Sequence, residues 1–218
     1  MYYTYFNSCF GESKLMTERN TKKVEHNCAC TVPIFAALEF EELQKVNDLI
    51  QKKEYEKGNI IFTQEDPANH LCIVRYGRVK LYEMSKDGRQ QTVRILEQGD
   101  FFGELSLFKE ETHLLNGEAL VDTGLCLLSR EDFKNFLKQN PEISLNIIQV
   151  MSERLAYAEK FIGNLALKSA EGRIASWLLM LAEKEGVYTP HGIRVSINLS
   201  RQEVANLLGT TLETVSRK

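Results

Sequence analysis

No run of apolar residues in this 218-residue chain approaches the roughly twenty needed to span a bilayer. The opening stretch, MYYTYFNSCFGESKLMTERN, lacks the basic segment followed by an apolar core that marks a secretory leader. The expected location is therefore the cytoplasm, where thiols are kept reduced. In that compartment the five cysteines are expected to be buried, metal-binding or redox-active rather than a disulfide framework. A large charge of one sign is also missing: the net charge of −3 argues against indiscriminate attraction to nucleic acid. The distribution is uneven, however, and between Lys168 and Lys218 seven Lys or Arg stand against five Asp or Glu. Catalytic signatures are absent too. There is no nucleophile elbow, no His-Glu metal pair and no glycine-rich phosphate loop, so the chain does not read as an enzyme.

What is present falls into four stretches. Residues 1–32 are polar and irregular and carry Cys9, Cys28 and Cys30, the pattern of an arm that gains order from a ligand. Residues 33–140 open with VPIFAALEFEELQKVNDLIQKKEY, where Leu38, Leu43, Val46, Leu49 and Ile50 recur at helical spacing. From 55 to 130, the short β-rich runs NIIFTQ, LCIVRYGRVKLYEM, QTVRILEQ and GLCLLS alternate with turn signals such as KG, YG, KDG, QGDFFGE and NG. Regular short strands with glycine punctuation predict an antiparallel barrel or roll, with a hairpin at Asp87-Gly88. Cys72, inside LCIVRY, is assigned to its core.

After Pro141 the period turns helical. Ile148, Met151, Leu155, Ala158, Ile162 and Leu165 follow one another at steps of 3, 4, 3, 4 and 3, the a/d seam of a coiled coil. Residues 141–167 are accordingly expected to form a dimerisation helix. No charge interrupts the seam, so no buried ion makes pairing conditional, and Ala158 permits close approach. A helix packed on its own domain would show the same period, and that alternative stands beside the first.

Residues 168–218 carry the sharpest pattern. SAEGRIASWLLMLAEKEG continues in helix, and IRVSINL is strand-like, with Ile193, Val195, Ile197 and Leu199 alternating against polar neighbours. In LSRQEVANLLGTTLETVSRK, Ser200 with Glu203 is a capping box, and Val204, Ala205, Leu207 and Leu208 supply an apolar face. Gly209 permits the left-handed conformation that ends a helix. Thr210 with Glu213, or Thr211 alone, then starts another, which makes a helix-turn-helix. On the second helix Leu212 and Val215 are expected to face the core, with Glu213, Ser216 and Arg217 on the outward face. Arginine donates two hydrogen bonds to guanine and glutamate accepts from the amino group of cytosine, so one G·C pair engages both. Ser200, Arg201 and Thr211, at the helix starts, complete the candidate DNA contacts. The solvated face of an ordinary helix pair has the same pattern. The upstream seam favours DNA, because two heads on a two-fold axis suit a palindromic site.

With YEKGNIIFTQED, YGRVKLY and GDFFGELSLF ahead of the long helix, and SAEGRIASWL and the helix-turn-helix behind it, residues 33–218 resemble the CRP/FNR family of bacterial transcription regulators. The resemblance implies an α+β fold: an N-terminal antiparallel β-roll of the cyclic-nucleotide-binding kind, a long dimerisation helix and a C-terminal winged helix-turn-helix. It implies a homodimer on double-stranded DNA, with RNA polymerase as a further partner. Family members continue into a β-wing, so a chain ending at Lys218 is expected to lack it. Glu213, Ser216 and Arg217 match the Glu-x-x-Ser-Arg of the FNR-like branch, whereas the cAMP-receptor branch differs at the places held here by Leu212 and Ser216. That match implies inverted TTGAT half-sites. In the roll, Gly103, Glu104 and Leu105 match the phosphate cassette, but His113 and Leu114 stand about where cAMP binders carry Arg-Ser. No arginine lies between Phe101 and Leu128, so a cyclic phosphate would lack its charge-assisted donor and cAMP is not the expected ligand.

The resemblance also frames the cysteines. FNR-like sensors hold an iron–sulfur cluster with three arm cysteines and one from the roll, and Cys9, Cys28, Cys30 and Cys126 would supply four thiolates. The Cys-x-Cys at Cys28 and Cys30, with a remote Cys9, departs from the spacing of that arm. The FNR-like proteins of Gram-positive bacteria are similar in having a cysteine just before VPIF and another in the roll, used as a dithiol–disulfide switch. Such a switch would join Cys28 or Cys30 to Cys126, with Cα atoms within about 7 Å. A zinc site from His26, Cys28 and Cys30 lacks an obvious fourth ligand. A cluster, a thiol switch and no redox role at all remain three open readings.

Overall fold

The computed structural model describes residues 32–35, 38–105 and 112–217. A 3-10 turn at Pro33–Phe35 precedes helix α1 (Phe40–Asp48). Eight strands follow: β1 (Gln51–Tyr55), β2 (Ile60–Phe62), β3 (His70–Tyr76), β4 (Val79–Met84), β5 (Gln90–Leu96), β6 (Phe101–Phe102), β7 (Asn116–Ala119) and β8 (Thr123–Ser129). They form two four-stranded antiparallel sheets, ordered β1-β8-β3-β6 and β2-β7-β4-β5, which face each other as a roll. Helices α2 (Arg130–Gln139), α3 (Pro141–Leu167) and α4 (Ala170–Glu185) come next. The hairpin β9 (Val187–Thr189)–β10 (Gly192–Arg194) and helices α5 (Arg201–Leu208) and α6 (Leu212–Arg217) complete the order.

Burial on both sides explains why β3 and β8 read as unbroken apolar runs rather than alternating ones. Leu71 and Ile73 of β3, with Cys126 and Leu128 of β8, enter one cluster with the 3-10 turn, α1, α2 and the start of α3. Cys72, Val74 and Leu125, from the opposite faces of the same strands, fill the space between the sheets with Val79, Leu81, Leu96 and Phe102. The hairpin expected at Asp87-Gly88 joins β4 to β5, and the Ser85 amide donates to the Arg89 carbonyl at 2.9 Å. Gly103 has φ +86°, and a Cβ there would lie 2.3 Å from the His70 carbonyl oxygen. Only glycine lets the chain turn away from β3 at that point.

Four expectations need correction. The strand region starts at Gln51, not 55: β1 is an edge strand paired with β8 alone and four of its five residues are exposed, so it carries no alternating signal. Helix α1 is shorter than the apolar spacing implies, since Leu38 precedes it and Leu49 and Ile50 follow it. Leu38 is buried all the same, because the 3-10 turn folds it into the first cluster. Helical structure resumes at Arg130, ahead of Pro141. Ser129 caps α2 by accepting from the Asp132 amide, and Phe133 and Phe136, one turn apart, fill the first cluster. Only Gly192–Arg194 of the IRVSINL region is strand, and the rest leads irregularly to the Ser200 cap.

Helix α3 begins on a proline, which has no amide to leave unsatisfied in the first turn, and runs 27 residues, about 40 Å. Its start belongs to the roll. Ile143 and Ile147 are buried in the first cluster, each worth about 1.5–3 kcal/mol, and the Asn146 side chain donates to the Ile34 carbonyl at 3.3 Å. Contact with the roll continues through Met151 and Arg154, and beyond them the apolar stripe of the helix is exposed on a single chain. Among the described residues, no helix is long and apolar enough to cross a membrane.

Candidate nucleic-acid interface

The reading head is built from its caps outward. Ser200 Oγ accepts from the Glu203 amide at 3.2 Å while the Ser200 amide donates to Glu203 Oε2 at 2.5 Å, the reciprocal box that starts α5. Val204, Ala205 and Leu208 are buried; Val204 and Leu208 pack with Ile174 of α4, against which Trp177, Leu199 and Val215 lie. Gly209, at φ 62° and ψ 44°, ends α5 in the left-handed conformation, and the Thr210 amide returns to the Ala205 carbonyl. Of the two starts open for α6 the structure takes Thr211, whose Oγ1 accepts from the Thr214 amide at 3.2 Å.

Glu213, Ser216 and Arg217 are exposed on α6, and Ser200 and Arg201 at the start of α5 and Thr211 at the start of α6 are exposed as well. Glu213 and Arg217 form an ion pair with each other one turn apart. Val215 packs inward as expected, but Leu212 does not and is 44% exposed. It lines a groove of about 600 Å³ between α5–α6 and the β4–β5 turn, with Gly88, Arg89, Gln90, Gln202, Asn206, Thr210 and Thr211. The head thus leans on the roll. Arg78 Nη1 donates to the Asn198 carbonyl at 2.6 Å, and Gln91 Nε2 to the Leu207 carbonyl at 3.5 Å. Sequence reading missed both side chains, since their partners lie more than a hundred positions away.

Along α3 the expected seam divides. Met151 is partly buried against the first cluster, whereas Ile148, Leu155, Ala158, Ile162 and Leu165 face outward on a single chain. An apolar groove of about 340 Å³ runs along its first half, between Ser144 and Leu155.

In the roll, the cassette residue Glu104 is 8% exposed and is held by arginines from outside the cassette. Arg154 of α3 donates from Nη1 to Glu104 Oε1 at 2.7 Å, and Arg94 of β5 stands 3.6 Å from the same oxygen. Both guanidiniums also donate to the Phe101 carbonyl, at 2.8 and 3.2 Å, and that of Arg154 lies 4.2 Å from the Phe101 ring centre. Burial, then the neighbouring Arg154, lower the pKa of Arg94, while Glu104 opposes the shift. The arginines of this cluster lie outside residues 101–128 in sequence, because β5 and α3 deliver them. His113 stacks on Phe62 with ring centres 3.8 Å apart; burial lowers its pKa and Asp66 opposes. Leu114, its neighbour, is exposed.

Of the cysteines, Cys72 is free and buried, as expected, and burial pushes its thiol up to about 12. Cys126 is fully buried in β8, opposite Ile73 and Lys52, and is disulfide-bonded. Cys9, Cys28 and Cys30, and with them His26, lie outside the described residues.

A roll, a long helix and a helix-turn-helix on one chain define the class of DNA-binding transcriptional regulators. Comparison with known proteins agrees: residues 52–140 match the cyclic nucleotide-binding domain and residues 172–218 the Crp-like helix-turn-helix domain. The chain is 31% identical over 192 residues to the "Probable transcriptional regulator flp" of Lacticaseibacillus casei, covering 88% of this chain and 85% of the relative. It is 31% identical over 185 residues to the "Cyclic AMP receptor protein" of Thermus thermophilus, covering 85% and 82%. Among solved structures it is similar to FixK2 from Bradyrhizobium japonicum, with 28% identity, a TM-score of 0.66 and coverage of 77% and 81%. The protein belongs to the CRP/FNR family of transcriptional regulators and is not an enzyme.

Proposed function

We propose that this regulator works as a homodimer that reads an inverted repeat of TTGAT half-sites and changes its DNA binding with the redox state of Cys126. RNA polymerase is the further partner that a transcription regulator of this kind engages on such a site. The observation that carries the reading is the open face of α6, where Glu213, Ser216 and Arg217 stand clear of the roll and of α4. A TTGAT half-site holds one G·C pair, and Arg217 with Glu213 matches the guanine acceptors and the cytosine amino group. The outward stripe of α3 supports pairing, because Leu155, Ile162 and their neighbours would otherwise leave a line of apolar surface in water.

Among the four candidate cluster ligands only Cys126 lies among the described residues, and its disulfide supports the thiol switch over an iron–sulfur cluster. Burial in the apolar cluster that also anchors α3 gives a bond at Cys126 a route to the dimer helix. The test is DNA binding after oxidation and after reduction, with free thiols and iron counted alongside. The reading expects two thiols lost on oxidation without iron, a change in affinity, and a Cys126→Ala variant that binds alike in both states. Iron near four per chain, or equal binding by the wild type in both states, would replace it.

A second reading, in which the roll also takes a small ligand, is favoured by one observation. Glu104 Oε2 is buried without a hydrogen-bond partner among the described residues, and a donor on a bound molecule would satisfy it. Calorimetry with cyclic nucleotides separates the two readings. The leading one expects no heat, since Arg94 and Arg154 are both engaged with Glu104 and the Phe101 carbonyl.

A further inference from the structure

Arg173, near the start of α4, makes three hydrogen bonds that join two separate parts of the chain. Its Nε donates to the Leu208 carbonyl at 2.8 Å and its Nη2 to the Gly209 carbonyl at 2.8 Å, the last residue of α5 and the glycine cap that leads to α6. Its Nη1 donates to the Lys168 carbonyl at 2.9 Å, at the C-terminal cap of α3. The carbonyls that close a helix have no partner within it and carry the negative end of its dipole, so a cation that satisfies them is doubly favoured. A second observation points to the same junction. A Cβ on Gly209 would lie 3.1 Å from Leu165 Cδ2, which places the α5–α6 turn directly against the last residue of the α3 stripe.

From this geometry we infer that Arg173 is a positioning residue for DNA reading. Its rigid fork locks the α5–α6 turn to the end of α3, and so fixes the direction of α6 relative to the two-fold axis of the pair. The inference rests on the reading of the chain as a paired DNA reader. What it adds is that one side chain, distant from the bases, selects the spacing between half-sites. Each inserted base pair turns one half-site by about 34° and moves it about 3.4 Å along the axis. A head held by three bonds to two segments cannot follow, whereas a head held only by the packing of Ile174, Val204 and Leu208 can rock. Lysine does not replace the fork, since a single ammonium cannot donate in parallel to carbonyls on two segments with the same geometry.

The experiment uses the 218-residue chain, wild type and with Arg173→Lys or Arg173→Ala, against duplexes that keep both half-sites and vary the spacer by one and two base pairs. A duplex with a single half-site and the thermal midpoint of each protein are measured in parallel. The wild type is expected to prefer one spacer. Both variants are expected to lose about tenfold of that preference, the size of one mismatched base pair. Affinity for the single half-site is expected to hold, which a merely structural role would not leave intact. If Arg173→Ala does not fold, Arg173→Lys decides alone. Variants that keep the wild-type spacer profile overturn the inference and leave the reading of function standing. A wild type indifferent to spacing and to the second half-site overturns that reading, and the inference with it.

Discussion

Glu213 and Arg217 hold each other across one turn of α6, and base reading as proposed would exchange that pair for base edges. The cost is small, because an exposed pair spaced four apart on a helix contributes about 0.3–0.5 kcal/mol. A bidentate contact to guanine, as proposed, is worth about 1–3 kcal/mol, so the free-state pair would be a resting place rather than a lock. Arg217→Ala is expected to relax discrimination at the guanine by about 1–3 kcal/mol, measured by competition between the specific duplex and one altered at that pair. Equal losses on specific and scrambled DNA would assign Arg217 to phosphate instead. His113 offers a test within the roll. Its folded pKa lies below the unfolded value near 6.5, so the unfolded chain takes the proton first as the pH falls. Stability is therefore full above about pH 6.5 and declines below it, toward the lowered folded value. Chemical denaturation between pH 7.5 and 5.5 should show that decline, and His113→Phe, which keeps a ring against Phe62, should flatten it.

At the scale of elements, α3 serves two masters along its length. Ile143 and Ile147 anchor its start in the cluster beneath the roll, and of its apolar stripe Met151 still packs there while Ile148, Leu155, Ala158 and Ile162 turn to solvent. Leu155→Glu, at a position 62% exposed on a single chain, should leave the fold within about 0.5 kcal/mol of wild type. Sedimentation should nevertheless show loss of pairing, and affinity for an inverted repeat should drop about a hundredfold or more as the second head loses its tether. The elements most legible in the sequence were those with local chemistry: the Ser200–Glu203 box, the Gly209 cap, the Asp87-Gly88 turn and the helical period of α3. Those it hid depend on distant partners. Strand β1 shows nothing because an exposed edge needs no apolar face. Leu212 looked like a core residue because the groove formed with the β4–β5 turn cannot be seen from α6 alone. The arginines on Glu104 come from β5 and α3, and Arg173 meets carbonyls that no side-chain pattern announces.

On the proposed reading, a chain of contacts runs through the whole molecule from Cys126 to α6. Cys126 lies in the cluster that anchors α3, the end of α3 touches the α5–α6 turn through Leu165 and Arg173, and the head rests on the roll through Arg78 and Gln91. Opening or closing the Cys126 disulfide would then have a packed path to the reading face, and two chains joined along α3 would turn both faces together. The most direct test of that account is the stoichiometry and affinity of the chain on an inverted TTGAT repeat, compared with a scrambled duplex of equal length at the same salt concentration. Two chains per duplex and a preference of about a thousandfold or more are predicted. One chain per duplex, with equal affinity for both DNAs, would contradict it.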